Sequence, residues 1–283
     1  MKELSFPFGN PETSDQTLVS VQNNLSSPKT IFAIARNTFR EAVRDRVLYN
    51  LVLFVLLITA CAIFLGELTA GQEARTIVNF GLGAMLVFGA FISIFVGVSL
   101  VSKEIERRTV FAIFSKPIGR GEFIVGKYLG LCLTLLVNVS IMGAGVSLAL
   151  LYVGGGNIAL KIWGAIVLIF LELTILTAVA ILFSSFSSPA LSALLTFFVF
   201  IIGNFSQSLK DFAANLGSSF TRLFFDFLYY ALPNLSFYSF RTNAANGEVP
   251  SAAMLGGAVM YAVIYVFVLL VITIAIFSRR NFK

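Results

Sequence analysis

Long apolar runs separated by short polar interruptions fill this chain from residue 47 onward. A bilayer-crossing helix needs roughly 20 mostly apolar residues. The pattern predicts six such helices, at about 47–66, 77–101, 123–153, 159–183, 189–209 and 253–277. The third is long enough to tilt or to emerge from the bilayer at one end. Gly154-Gly155-Gly156-Asn157 reads as a tight turn after it, and Ser184-Ser185 with Ser187-Ser188-Pro189 separates the fourth span from the fifth. The second boundary rests on the serines and on proline's preference for the start of a helix.

Before the first span the period changes. From Thr30 to Arg46, helical spacing places Ile31, Ile34, Ala35, Thr38, Phe39 and Ala42 on one face and Arg36, Arg40 and Arg44 on the other. An apolar face backed by arginines predicts a helix lying in the membrane interface; a plain extension of the first span is the alternative. Residues 1–28 are polar, without an apolar segment near Met1, and read as a disordered cytoplasmic tail rather than a signal peptide. The remainder, 29–283, reads as a single membrane domain. The loop at 210–252 holds Phe212, Phe220, Phe224, Phe225, Phe227, Tyr229 and Tyr230, then Leu232-Pro233-Asn234. Aromatics at that density suit the headgroup zone and predict one or two short helices resting on the outer face, broken at Pro233.

Composition fits lipid as the solvent. Hydrophobic residues make up 58% of the chain and charged residues 12%, with a mean hydropathy of +0.90, about half the charge of a soluble domain. The expected class is therefore an all-α membrane protein. Cys61 and Cys132 both fall inside apolar runs, and there is no histidine, which removes haem ligation, most zinc sites and histidine-based proton transfer. Paired carboxylates, metal-ligand clusters and a serine nucleophile beside a base are not found, so no catalytic residue, cofactor or metal is assigned to this chain.

The net charge of +6 needs no nucleic-acid partner. With the N-terminus inside, one side of the bilayer collects Lys2, Lys29, Arg36, Arg40, Arg44, Arg46, Lys103, Arg107, Arg108, Lys116, Arg120, Lys127, Arg279, Arg280 and Lys283. The other keeps Arg75, Lys161, Lys210, Arg222 and Arg241. Fifteen against five predicts both termini in the cytoplasm by the positive-inside rule, in a multi-pass protein of the bacterial inner membrane.

Between the second and third spans lies a charged island, Ser102 to Glu122, whose charges are Lys103, Glu104, Glu106, Arg107, Arg108, Lys116, Arg120 and Glu122. They surround Val110, Phe111, Ile113 and Phe114. Solvated charges obeying the positive-inside rule would account for the cations alone. Glu104 and Glu106 add nothing to that rule and a bare connector has no use for Phe111 or Phe114, so the island reads as a docking surface. Pro117 and Gly119 turn the chain back to the membrane. At its end, Gly121 to Tyr128 matches most of a phosphate-binding G-x-x-x-x-G-K-[ST] loop. Tyr128 lacks the small hydroxyl that holds Mg²⁺ and no strand precedes the loop. The match is rejected; Gly126 and Gly130 predict close helix contact, with Lys127 reaching toward the inner interface.

Glu172 is the acidic residue deep within a span. A charge at the bilayer centre costs at least about 2.5 kcal/mol, so it must face protein, a water-filled cavity or another subunit. It could serve as a proton or cation site, or as a hydrogen-bonded packing residue near Thr174 or Thr177. Asn138, Asn204 and Gln207 are further polar residues in or near spans, with helix–helix hydrogen bonding as their expected use.

Taken in order, Ile34-Ala35-Arg36-Asn37-Thr38-Phe39-Arg40-Glu41, Lys103-Glu104-Ile105-Glu106-Arg107-Arg108-Thr109, Ser115-Lys116-Pro117-Ile118-Gly119-Arg120 and Phe123-Ile124-Val125-Gly126-Lys127-Tyr128 resemble the permeases of type-2 ABC exporters, including those of nitrous-oxide-reductase maturation systems. The resemblance covers the chain from about Ala33 to its end. It implies that the loop carrying Glu104, Glu106, Arg107, Arg108, Thr109, Phe111, Phe114, Lys116, Pro117 and Arg120 seats in a separate P-loop ATPase subunit. ATP and Mg²⁺ would then be bound by that partner. It also implies pairing with a second permease copy or a homologous permease, and transport outward. Two other classes stay open: an ion-gradient-driven transporter or channel using Glu172, and a membrane scaffold that moves nothing.

Overall fold

In a computed structural model of the chain, the described residues are 28–43, 71–106, 119–208 and 232–279, with 53, 54, 57, 58, 60, 61, 64 and 229; side chains at 100–106, 120 and 279 are not among them. Of the expected tail, only Pro28 is described. Among the described residues the ordered elements are α1 (Pro28–Ala42), α2 (Glu73–Glu106), α3 (Arg120–Tyr152), α4 (Gly156–Ala159), α5 (Trp163–Ser184) and α6 (Pro189–Asn204). A 3-10 turn (Leu235–Tyr238), α7 (Arg241–Ala245) and α8 (Ala252–Arg279) follow. There are no strands among them. The expected all-α membrane class holds.

Four helical stretches are long and apolar enough to cross a bilayer: Glu73–Ser99, Gly121–Tyr152, Gly156–Ser184 and Ala252–Ser278. They correspond to the second, third, fourth and sixth runs of the sequence. The fifth run forms a shorter apolar helix, Pro189–Asn204. Much of the first run lies outside the described residues; those described within it are helical, and Phe54 and Ile58 join the buried core. The punctuation falls where the residues require it. Gly154 takes a φ of +83°, a left-handed conformation that costs glycine little. Ser188 is extended and Pro189 opens α6.

Lipid tails are as apolar as leucine, so the hydrophobic effect does not hold these helices together; close contact between small residues and hydrogen bonds do. α5 is the centre. Of its apolar stretch 72% is buried within the chain, against 22% for α8, whose Met260, Val263, Ile264 and Phe267 remain exposed. Along α2, Gly89, Ser93 and Gly97 recur every fourth residue and form the seam with α5. A Cβ on Gly89 would lie 2.4 Å from Leu173 Cδ1, and one on Gly97 would lie 3.1 Å from Ala180 Cβ. Between them the hydroxyls of Ser93 and Thr177 are 2.7 Å apart. Gly81 against Val146 and Gly143 against Ile166 bring α3 onto α2 and α5.

Candidate functional site

Two regions carry the polar chemistry, at different levels of the bundle. The first is the end where α2 stops at Glu106 and α3 starts at Arg120. The backbone of Glu104 and Glu106 belongs to the last turns of α2, and that of Arg120 to the first turn of α3. The Gly119 N–H donates to Glu122 Oε2 at 3.3 Å, which satisfies one of the open donors at the start of α3. Arg107, Arg108, Thr109, Phe111, Phe114, Lys116 and Pro117, together with Arg44, lie outside the described residues.

α1 is seated at this same end, on the first turns of α3. Its residues divide as the periodicity predicts: Ala35, Thr38 and Ala42 are buried, Ile31, Ile34 and Phe39 half-buried, Arg36 and Arg40 exposed. The structure supplies a partner that periodicity alone did not name. The packed face meets a groove on α3 made by Gly126 and Gly130. A Cβ on Gly130 would lie 2.6 Å from both the Ala35 carbonyl oxygen and Thr38 Cβ, and one on Gly126 would lie 2.8 Å from Ile34 Cβ. Only glycine leaves room for the α1 backbone there. Between the two glycines stands Lys127, whose side chain is 3% exposed. Instead of reaching out to an interface, it turns to α1: Nζ lies 3.7 Å from Glu41 Oε2 and 5.8 Å from the centroid of the Phe123 ring. Glu41 was a bystander in the sequence; its position four residues after Asn37 carries no signal of a partner on another helix.

The second region lies around Glu172, midway along α5 and 1% exposed. Asn204 Nδ2 of α6 donates to Glu172 Oε1 at 2.8 Å. Arg241, at the start of α7, lies within electrostatic range of that carboxylate, its Nη1 beside Gly83 of α2. Thr174 and Thr177, the expected neighbours, bond instead to backbone carbonyls of their own helix, at Leu171 and Leu173.

Arg241 belongs to a segment, 232–250, that is inset in the bundle and not laid on its surface. Leu235, Tyr238 and Ala244 are fully buried. Gly203 of α6 accommodates Pro233 and Leu235, where a Cβ would come within 2.8 Å of the Pro233 carbonyl oxygen. Gly164 of α5 accommodates Pro250, with a Cβ 2.6 Å from Cδ. Polar contacts complete the fit: Ser206 Oγ to Asn234 Oδ1 at 2.6 Å, the Asn234 N–H to Tyr261 Oη at 3.0 Å, and Arg75 Nε to Asn246 Oδ1 at 2.8 Å. Burial, with nearby Tyr261 and the charge of Glu172 adding to it, raises the Tyr238 phenol above its ordinary pKa. Its hydroxyl stays protonated and donates to the Ala258 carbonyl at 2.9 Å.

Apolar spans keyed by small residues, with polar groups buried at bilayer depth, define a multi-pass all-α membrane protein. Its family follows from comparison: a model of the ABC-2 family transporter proteins matches residues 32–282. The chain belongs to that family, the membrane-spanning subunits of ABC transporters. It is also similar to the probable ABC transporter permease protein NosY of Pseudomonas aeruginosa, with 26% identity over 125 residues, 43% of this chain and 46% of that protein. The protein of the same description from Stutzerimonas stutzeri is 25% identical over 139 residues, 47% of this chain and 50% of its own length. The aligned region thus spans about half of these relatives.

Proposed function

We propose that this chain is a permease subunit that moves a substrate across the membrane on ATP hydrolysed by a separate P-loop ATPase, paired with a second copy or a homologous permease. ATP and Mg²⁺ are held by the ATPase and not by this chain. The stroke enters at 102–122, where Glu104, Glu106, Arg107 and Arg108 offer charge pairs and Phe111 and Phe114 an apolar plug. Both termini and this loop face the cytoplasm of a bacterial cell, segment 232–250 faces the other side, and transport runs outward.

The observation that supports this reading is the joining of α1 to α3 immediately after the loop. A displacement of the loop end of α3 must carry α1 with it, because the Gly126–Gly130 groove leaves no slack. Exposed Arg36 and Arg40 give that moving unit a second charged face at the same end. Against the ion-gradient reading, the hydrogen bond from Asn204 and the nearby charge of Arg241 account for Glu172 without an ion path.

Purification of the chain from its native membrane tests the proposal. A P-loop ATPase is expected to co-purify, and to be lost from a Glu104→Ala/Glu106→Ala/Phe111→Ala variant that accumulates in the membrane normally. Retention of the ATPase by that variant, or no ATPase with the unaltered chain, overturns the docking assignment. Gradient-driven flux without ATP, abolished by Glu172→Gln, would support the ion-coupled class instead.

A further inference from the structure

The periodicity that sends Ala35, Thr38 and Ala42 of α1 into the α3 groove leaves an opposite stripe facing outward. Lys29, Phe32, Arg36 and Arg40 lie on it at spacings of three and four residues, all of them exposed. The one acid of α1, Glu41, is turned to Lys127, so the stripe is cationic with no counter-charge of its own helix beside it. Phe32 stands among these cations and is 71% exposed, a position unfavourable for a phenyl ring in water and suited to one among acyl chains. Depth decides what the stripe meets. The apolar stretch Gly121–Tyr152 has 32 residues, about 48 Å at 1.5 Å per residue, against roughly 30 Å of hydrocarbon. Centred on that core, it projects about 9 Å past each boundary. Gly126 and Gly130, where α1 crosses, lie about 8 and 14 Å from its start. α1 therefore crosses at the boundary where lipid headgroups begin, deeper than the start of α3. With the apolar face taken by α3, contact with lipid falls to the basic one.

We propose that the outward stripe of α1 binds anionic phospholipid, with Arg36 and Arg40 gripping a headgroup phosphate and Phe32 set among the acyl chains beside it. Residues four apart on a helix have Cβ atoms about 5–6 Å apart, so two guanidinium groups can converge on one phosphate. Arginine matches phosphate geometry through paired N–H donors. Each basic side chain near an anionic surface favours it roughly fivefold. An acidic protein surface offers the same charge, but at this depth it leaves Phe32 without the apolar surroundings that acyl chains supply. Because the Gly126–Gly130 groove leaves α1 no slack, the lipid contact also holds the loop end of α3 at a fixed depth. The inference needs the membrane class and the place of α1; it does not rest on the ATPase or on the substrate.

The test reads proximity to lipid. Trp163 is the single tryptophan of the chain, so Phe32→Trp with Trp163→Phe places the one fluorophore on the stripe. The full chain is set in phosphatidylcholine nanodiscs containing a minor fraction of lipid brominated on its acyl chains, either phosphatidylglycerol or phosphatidylcholine. Brominated phosphatidylglycerol is expected to quench several-fold more per molecule than brominated phosphatidylcholine. Arg36→Gln/Arg40→Gln should bring the two to equality, while Arg36→Lys/Arg40→Lys keeps most of the preference. Hydrogen exchange across Pro28–Ala42 in plain phosphatidylcholine should be the same with the glutamine pair as without it, since neither arginine enters the groove. Equal quenching by the two lipids with both arginines in place, a preference that survives the glutamine pair, or exchange that rises with it would each overturn the proposal; the last would make the arginines supports of the fold. Quenching by neither lipid while a co-purified protein is present, and by both equally once it is removed, would assign the stripe to a protein partner and overturn the lipid.

Discussion

Lys127 Nζ of α3 lies 3.7 Å from Glu41 Oε2 of α1, a charge pair between two helices whose backbones touch through glycine. The lysine is buried while the side chain of Glu41 is 42% exposed, so removing the two partners has unequal consequences. Loss of Glu41 takes away the carboxylate 3.7 Å from a cation buried beside Phe123. Glu41→Gln is expected to weaken α1 docking by about 1–3 kcal/mol, below the 3–5 kcal/mol of a fully buried pair because water reaches the carboxylate. A Lys127→Met/Glu41→Gln double variant recovers most of that loss, since an apolar side chain in the lysine's place has no desolvation to offset. Hydrogen exchange across Pro28–Ala42 in detergent or nanodiscs measures both effects.

The groove on either side of Lys127 predicts a steric result. Gly130→Ala would place a methyl 2.6 Å from the Ala35 carbonyl oxygen, a backbone atom that cannot rotate away. Overpacking of this sort costs about 1–3 kcal/mol, and here it falls on one contact, so α1 should detach while the spans stay folded. Limited proteolysis between Pro28 and Ala42 is expected to accelerate by an order of magnitude or more. Gly256→Ala on α8, with no atom within 4 Å of the added methyl, is the matched control. It should be neutral or stabilising, because alanine is the better helix former by roughly 0.5–1 kcal/mol.

These two predictions also mark how far the sequence could be read. The faces of α1 were legible residue by residue, since a period of 3.6 assigns Ala35, Thr38 and Ala42 to one side whatever lies opposite. What lies opposite was not, because an apolar stripe suits a lipid interface and a glycine groove equally well. Gly126 and Gly130 announced close contact but could not name α1 as the visitor. The aromatic segment before α8 shows the same limit. Its cluster Phe212, Phe220, Phe224, Phe225, Phe227 and Tyr230 lies outside the described residues; after Pro233 Tyr238 is buried, because tyrosine suits the headgroup zone and also a protein interior that offers its hydroxyl a partner. Glu172 stood out by its depth. The nearness of Arg241 did not, because an arginine outside the spans carries no sign of the helix beside which its segment will fold. α6 ends at Asn204 with a single turn residue at Phe205, and the chain is helical again over 206–208, where Gly203 and Ser206 meet the inset segment.

The inset segment is fastened at its far side by Arg75, which donates through Nε and Nη2 to Asn246. Both residues are exposed, so water competes for these bonds and the neutral acceptor limits their worth to about 0.5–1.5 kcal/mol. In nanodiscs, Arg75→Ala should therefore speed labelling of a single cysteine at Ala244, buried on α7, by a water-soluble maleimide only several-fold, and an increase of a hundredfold or more would show the tether to be worth more than its exposure allows.

The seam between α2 and α5 offers a measurement of polar contact at bilayer depth. The hydroxyls of Ser93 and Thr177 are 2.7 Å apart and buried. Each has an alternative on the same side: Ser93 Oγ is 3.3 Å from the Leu173 carbonyl oxygen, and Thr177 Oγ1 donates to that same oxygen at 2.8 Å. With an acceptor already available, deletion of either hydroxyl leaves its partner satisfied. A double-mutant cycle of Ser93→Ala and Thr177→Val is thus expected to give a coupling near 0.6 kcal/mol, and at most about 2 kcal/mol, the range found for hydrogen bonds between membrane helices. By contrast Gly89→Leu, which drives a branched side chain into a site where even a Cβ would lie 2.4 Å from Leu173 Cδ1, should separate the helices and abolish accumulation in the membrane. Thermal unfolding in detergent measures the cycle, and quantitative blotting of membranes reads the glycine variant. A large hydroxyl coupling with a tolerated Gly89→Leu would reverse the order of importance argued here, placing hydrogen bonding above close packing as the force that joins α2 to α5.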